Sequence, residues 1–315
     1  MFCCPYCSCG MEIVEVTEGE PFARWHAVKK AASSRTDAPE GYVDWRRQAA
    51  DTVWLLATHE GEDVGAGIAL TGWFSPPHVA ITGVSVPPAH RGRGHGLELY
   101  RALSAWAAER GVSELKGGVW EDDPDSLAWA ERQGFSETGR NSRLGLDLAQ
   151  IEAPEPVPPD GIEIFTWAER PDAAEGMYEV AREAMADIPG EEETEIGTYE
   201  EWLSRDMQGV SDKPEMTFVA LAGDKVVGYA KLVPSLSREG VAIHDLTGVL
   251  RDWRGRGIAA ALKATQIAWA KQNGYAKIET SNEVRNEPIR RLNEQHGYVI
   301  EPGEIELTGP LAPTG

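Results

Sequence analysis

Two stretches of this chain run apolar residues up to a short acidic turn and away from it: TVWLLATHEGEDVGAGIAL (52–70) and MTFVALAGDKVVGYAKLV (216–233). Alternating apolar positions around Gly-Glu and Gly-Asp turns predict β-hairpins. A further apolar run follows each hairpin, VAITGVSV (79–86) and VAIHDLTGVL (241–250). The period then changes. Ile258, Ala261, Leu262, Thr265 and Trp269 recur at helical spacing. Beyond that helix come another strand (SELKGGVW, YAKIETSN), another helix and a Gly-aromatic pair. Ahead of the hairpins, opening strands are expected at MEIVEV and GIEIF, followed by helices over 21–32 and 42–51, and over 171–186 and 198–208. Strands first, then strand–helix–strand, predict a mixed α/β sheet in each half.

The halves repeat. Arg91 and Arg254 lie 163 residues apart, and the same offset relates Gly65 to Gly228, Trp106 to Trp269, Gly111 to Gly274, and Gly134 to Gly297. Five landmarks at one spacing identify a tandem duplication. IEAPEPVPPDG (151–161) holds four prolines and reads as an extended linker. The expected domains are therefore 11–150 and 162–315.

Composition narrows the class. The chain has 315 residues, with 51 acidic against 30 basic and a formal charge of -21. Phosphate-backbone binding needs a basic footprint, so nucleic acid is not the expected partner. No run of about 18 apolar residues is present, so no membrane-spanning helix is expected. All four cysteines (Cys3, Cys4, Cys7, Cys9) fall in the opening MFCCPYCSCG. A body without cysteine suits a reducing cytoplasm. CPYC lacks the strand a redox motif would follow, and four thiolates within seven residues are cramped for zinc, so no metal is expected. The run 1–10 reads as a disordered tail, or as residues ahead of a natural start at Met11.

In a chain this acidic, each half nevertheless carries Arg-Gly-Arg-Gly between a strand and a helix: HRGRGHG and WRGRGIA. The first amides of a helix lack partners and sit at the positive end of its dipole. Glycines let an anion approach them, and arginine adds forked donors, so phosphate is the natural guest. A dinucleotide-binding oxidoreductase is the weaker alternative. GRGIAA fits Gly-x-Gly-x-x-Ala with Glu279 downstream, but Leu97 spoils the first copy, and the motif comes too late in each half.

Arg-x-x-Gly-x-Gly/Ala in this setting resembles motif A of the GNAT N-acetyltransferases, and the resemblance covers both halves. It implies two tandem folds, each a splayed, mostly antiparallel sheet flanked by helices, with acetyl-CoA between the fourth and fifth strands. The diphosphate would lie on Arg91, Gly92, Arg93, Gly94, His95 and Gly96, and on Arg254, Gly255, Arg256, Gly257, Ile258 and Ala259. The pantetheine arm would pair with Val84, Ser85 and Val86, and with Thr247, Gly248 and Val249. A second signature, NEPIRRLNEQHGY, places Asn286 at the start of the last helix; Asp123 replaces it in the first copy.

Amide formation needs a base for the attacking amine, a donor for the thioester oxygen, and help for the departing thiolate. The resemblance makes Asp245 and Glu279 candidate bases. It places Asn293 where the family often has a tyrosine acid. Thr82 stands where Asp245 would in the first copy, and Ala130 where Asn293 would. The C-terminal copy is thus expected to be catalytic and the N-terminal copy degenerate or structural. The activity implied is acetyl transfer to a small amine, and the alternative is an acyl-CoA-binding protein without turnover. The fused copies would act as an intramolecular pseudo-dimer, or the chain as a homodimer. DIPGEEETEIGTYEEWLSRD (187–206) is strongly acidic. As a pocket wall it would favour a cationic acceptor. Trp45, Trp73 and Trp202 are expected in the core rather than in that pocket.

Overall fold

In a computed structural model, the described residues are 10–72, 75–188, 196–283 and 286–313. The cysteines of the tail, Trp73 and residues 189–195 of the acidic run lie outside them. The chain divides into two compact units. Unit 1 takes residues up to Thr138 together with Ile305–Gly315, and unit 2 takes Gly139–Glu304.

Unit 1 opens with β1 (Met11–Glu15), α1 (Gly19–Ala32) and α2 (Pro39–Gln48). Next come β2 (Asp51–His59), β3 (Glu62–Thr71) and β4 (Val79–Ser85). Helix α3 (His95–Ala108), β5 (Glu114–Trp120) and α4 (Pro124–Arg132) complete the expected series. The order β1-β2-β3-β4-β5 is antiparallel up to β4, and β4 runs parallel to β5. Successive side chains of a strand point to opposite faces. Accordingly Val53 and Leu55 of β2 pack with Leu99 and Leu103 of α3, while Trp54 and Leu56 pack with Trp25 and Val28 of α1. Both faces are covered, so the middle of β2 reads as a continuous apolar run.

Unit 2 repeats the plan with β7 (Glu163–Thr166), α5 (Ala174–Met185), α6 (Tyr199–Asp206), β8 (Thr217–Ala222), β9 (Lys225–Pro234) and β10 (Val241–Val249). Helix α7 (Ile258–Gln272), β11 (Lys277–Glu283) and α8 (Glu287–Gln295) follow. Residues 151–161 belong to this unit, and Ile151 packs against its core.

The last strand of each sheet comes from a distant part of the sequence. Strand β6 (Ser136–Asp147) follows α4, yet from Asn141 to Asp147 it pairs antiparallel with β11, and Leu144 and Leu146 are buried in the core of unit 2. Unit 1 is closed instead by the end of β12 (Val299–Pro310), which lies next to β5. Ile305 and Leu307 are buried there with Leu115 and Phe135, and the Tyr100 hydroxyl donates to the Pro310 carbonyl at 2.8 Å.

Each sheet splays where the resemblance requires. Strand β4 pairs with β5 over Val79–Ile81, while its ladder to β3 continues to Ser85. In unit 2, β10 pairs with β11 over Val241–Ile243, and its ladder to β9 continues to Val249 through a bulge between His244 and Thr247. The ladder between β3 and β4 runs through without a shift. The fold is thus a mixed α/β, mostly antiparallel sheet built twice. No helix among the described residues is long and apolar enough to cross a membrane.

Candidate functional site

Each Arg-Gly turn follows a short 3-10 turn (Pro88–His90, Arg251–Trp253) and opens a helix. Gly92 and Gly94 have φ of +74° and +89°, and Gly255 and Gly257 +72° and +85°. That left-handed backbone favours glycine. A Cβ at Gly92, Gly94 or Gly255 would meet nothing within 4 Å, and at Gly257 it would meet Pro159 Cγ at 3.7 Å. No side chain crowds these glycines closely, which fits the approach of an anionic diphosphate to the amides that begin α3 and α7.

The arginines have structural partners. Arg91 Nε donates to the Val86 carbonyl at 3.1 Å, and Arg254 Nε to the Val249 carbonyl at 2.9 Å. Each guanidinium thus ties the turn to the end of its strand, with terminal N–H groups left over. In unit 2 those groups meet acid. Asp187 pairs with Arg254 at 2.7 Å and with Arg251 at 2.7 Å, while Glu183 accepts the Arg251 amide at 2.7 Å. The hydrogen bond from Arg251, joined by Arg254, holds the Asp187 carboxyl down at about 2 against the cost of burial. In unit 1, Asp123 caps α4 through Ser126 and approaches Arg91 at 3.8 Å. Arg256 is spread over the Trp253 ring.

Two of the expected cradle side chains turn inward. His95 is buried with Nδ1 3.3 Å from Met11 Sδ, and burial lowers its pKa. Ile258 is buried in the core. Of these two residues only the backbone can serve an anion.

The candidate catalytic residues are held by different partners. Glu279 is buried among three cations: Arg143 at 2.5 Å, Arg238 at 2.6 Å and Lys277 at 3.0 Å. Burial opposes its charge, but these partners outweigh burial and hold the carboxyl at about 2, far too low for a base near neutrality. Asn293 is fully buried. Its Oδ1 accepts from Lys263 Nζ, and its Nδ2 donates to Asn282 Oδ1 at 2.8 Å. One of its two Nδ2–H donors is thus engaged inside the core. Asn286 sits at the N-cap of α8 without a side-chain capping bond.

Asp245 is different. It lies on β10 at the bulge, past the last residue paired with β11, with its side chain half exposed. Lys231 of β9 holds it at 2.5 Å. Lys231 is itself buried and also bonds Asp212 at 2.9 Å and the Asp206 carbonyl. Burial disfavours its charge, yet Asp245 and Asp212 more than offset this and raise its pKa. The Asp206 carboxyl is pushed up to about 6 by burial, with Lys231 opposing and Asp245 adding to the rise. Tyr229, two residues before Lys231, contacts Trp202 of α6, and its phenol lies well above its ordinary value through burial and then the nearby Asp245.

Sequence reasoning did not single out Lys231, Asp206 or Asp212. The signal available was Lys231 itself, a cation at an otherwise apolar stretch of a hairpin strand. Trp202 is buried as expected, whereas Trp45 is 46% exposed. In unit 1 the residue matching Asp245, Thr82, donates its hydroxyl to the Ile68 carbonyl at 3.1 Å.

Known proteins resemble this chain in sequence and in fold. Mycothiol acetyltransferase of Brachybacterium faecium is 29% identical over 231 residues, 70% of this chain and 66% of that protein, just under two thirds of its length. L-2,4-diaminobutyric acid acetyltransferase of Nocardia farcinica is 31% identical over 124 residues, 38% of this chain and 64% of that protein. A tandem GNAT protein from the clavulanic acid biosynthesis pathway shares the fold, with a TM-score of 0.77 at 17% identity over 97% of this chain and all of that one. The model of the acetyltransferase (GNAT) family matches residues 20–135 and again 174–298, so this chain belongs to that family and carries its domain twice.

Proposed function

We propose that this protein is an acetyl-CoA-dependent N-acetyltransferase, that unit 2 carries the transfer, and that the acceptor is a small cationic amine. Acetyl-CoA would supply the activated acetyl thioester. Gly255–Ala259 would hold its diphosphate, and Thr247–Val249 would orient its arm along the free side of β10. The observation that carries the reading is Asp245. It is a half-exposed carboxylate at the bulge, where β10 leaves β11, and buried Lys231 holds it in place at 2.5 Å.

An ammonium acceptor must lose a proton before it can attack. Asp245 would take that proton, directly or through one water. Asp206 and Asp212 lie close to Asp245 and add negative charge there, which supports a cationic guest. The name of the diaminobutyric acid relative supports an amine-rich acceptor as well. Asn293 and Glu279 take no part in the transfer. In unit 1, Thr82 offers no carboxylate, which supports a binding or structural role there toward free amines.

The test is thiol release from acetyl-CoA with a panel of amines. Cationic amines should turn over. Asp245→Asn should lower kcat about 100-fold or more, in the range expected for losing a general base, while acetyl-CoA affinity stays within twofold. Release with neutral or acidic acceptors alone, or an unaffected Asp245→Asn, would overturn the proposal.

A further inference from the structure

Unit 1 has Thr82 where unit 2 has Asp245, but it brings an amine to the edge of its splay. Lys29 of α1 extends toward the end of β4, with Nζ 3.4 Å from Ser85 Oγ. Ser85 lies four residues past the last position of β4 that pairs with β5. Its neighbour Val84 packs toward α3, so Ser85 faces the opposite side, the side of α1.

The ammonium is enclosed by aromatic rings. Nζ lies 5.3 Å from the Trp25 ring and 5.3 Å from the Tyr42 ring. Those rings meet edge to face with centroids 5.0 Å apart, and Trp25 is fixed by donating Nε1–H to the Gly67 carbonyl at 2.9 Å. Rings so placed are the usual recognition device for an amine cation. Unit 2 is built differently here. Gly248 matches Ser85 in the repeat, and a Cβ on it would lie 3.0 Å from both Val180 and Ala184 of α5. Where unit 2 presents apolar side chains, unit 1 brings up its own amine.

We propose that Lys29 is the acceptor of unit 1, a site at which the chain acetylates itself from acetyl-CoA bound on the Arg91–Gly96 turn. This rests on the acetyl-CoA reading above. The lone pair of neutral Lys29 Nζ forms the C–N bond to the acetyl carbonyl carbon. The C–S bond breaks and CoA leaves as its thiolate. The proton shed by the new amide nitrogen passes through water to that thiolate, giving the thiol. No carboxylate is required, because burial draws Lys29 down to about 8, with Asp37 opposing, so much of it is neutral in mildly basic solution. The product is an uncharged acetyl-lysine in the aromatic enclosure, ending the cation–π contact.

The full-length protein is incubated with acetyl-CoA at pH 8, then analysed by intact mass and peptide mapping. The expected result is one acetyl group per chain, at Lys29. Lys30, exposed on the same helix, should label at least tenfold more slowly. The rate should saturate with acetyl-CoA and be independent of protein concentration. Lys29→Arg should remove the label. Arg91→Ala and Gly94→Val, each checked for an unchanged thermal melt, should slow it at least tenfold. Labelling of Lys29 no faster than Lys30, a rate linear in acetyl-CoA, or equal labelling in both turn variants overturns the proposal. Thiol release with added amines, measured on the same sample, separates the two readings. If release persists while Lys29 stays unmodified, the self-acetylation inference falls alone. If calorimetry detects no acetyl-CoA binding, both fall.

Discussion

Replacing Asp187 by asparagine isolates the competition between an internal carboxylate and the diphosphate of acetyl-CoA. Asp187 touches Arg254 of the cradle of unit 2 and Arg251 of the short turn that leads into it, both at 2.7 Å. The side chains are 34% exposed for Asp187, 55% for Arg251 and 42% for Arg254. Ion pairs this exposed are worth about 0.2–1 kcal/mol each, so the two together oppose phosphate binding by about 1 kcal/mol. At 1.4 kcal/mol per tenfold, Asp187→Asn should tighten acetyl-CoA binding to unit 2 about fivefold. The gain should shrink in 1 M salt, where the Debye length falls to about 3 Å. Stability should move the other way. The folded-state pKa of Asp187 is depressed to about 2, so its contribution is present above its unfolded value and lost as pH falls through about 2. The variant should therefore be slightly less stable than the parent at pH 7. Calorimetric titration at low and high salt, with denaturant melts, reads both effects. Affinity that is unchanged or weaker at low salt would refute the competition and show that Asp187 positions the two arginines for the ligand.

Two further predictions concern the lysine and its acids. The folded-state pKa of Asp206 is raised to about 6, so its contribution to stability is full below the unfolded carboxylate value and lost as pH rises through about 6. Asp206→Asn should accordingly raise Tm at pH 7.5 and leave it nearly unchanged at pH 4; a lower Tm at pH 7.5 would contradict the assignment. Lys231→Met strands Asp212, whose side chain is 9% exposed, and the half-exposed Asp245. Breaking a buried pair costs about 3–5 kcal/mol, and exposure of Asp245 puts the expected loss near 3 kcal/mol at pH 7. Urea unfolding reads the loss, and a value below about 1 kcal/mol at pH 7 would refute the estimate.

The features written locally in the sequence were legible. The hairpins, the Arg-Gly turns with their left-handed glycines, and the helices at 174–185 and 199–206 all follow from short-range pattern and turn chemistry. The fixed offset of 163 residues made the duplication visible. Features set by long-range placement were not. Strand β6 has an ordinary strand pattern, and nothing in it says which sheet edge it joins. Its pairing with β11 brings Arg143 to Glu279 across 136 positions of sequence, which turns an expected base into a saturated ion pair. His95 reads as part of an exposed turn. It begins the face of α3 that continues through Leu99 and Leu103, however, so its ring goes into the core. Lys231 and Lys263 each sit in an apolar stretch, and a cation in such a stretch is itself a signal that buried partners exist.

The central claim is that the amides at the entrance of α7 hold the diphosphate of acetyl-CoA. A crystal structure grown with acetyl-CoA tests it most directly. The account predicts diphosphate oxygens within hydrogen-bonding distance of the amides of Gly255–Ala259, with the thioester beside Asp245. A diphosphate bound elsewhere, with the turn of unit 2 occupied by solvent, would contradict it.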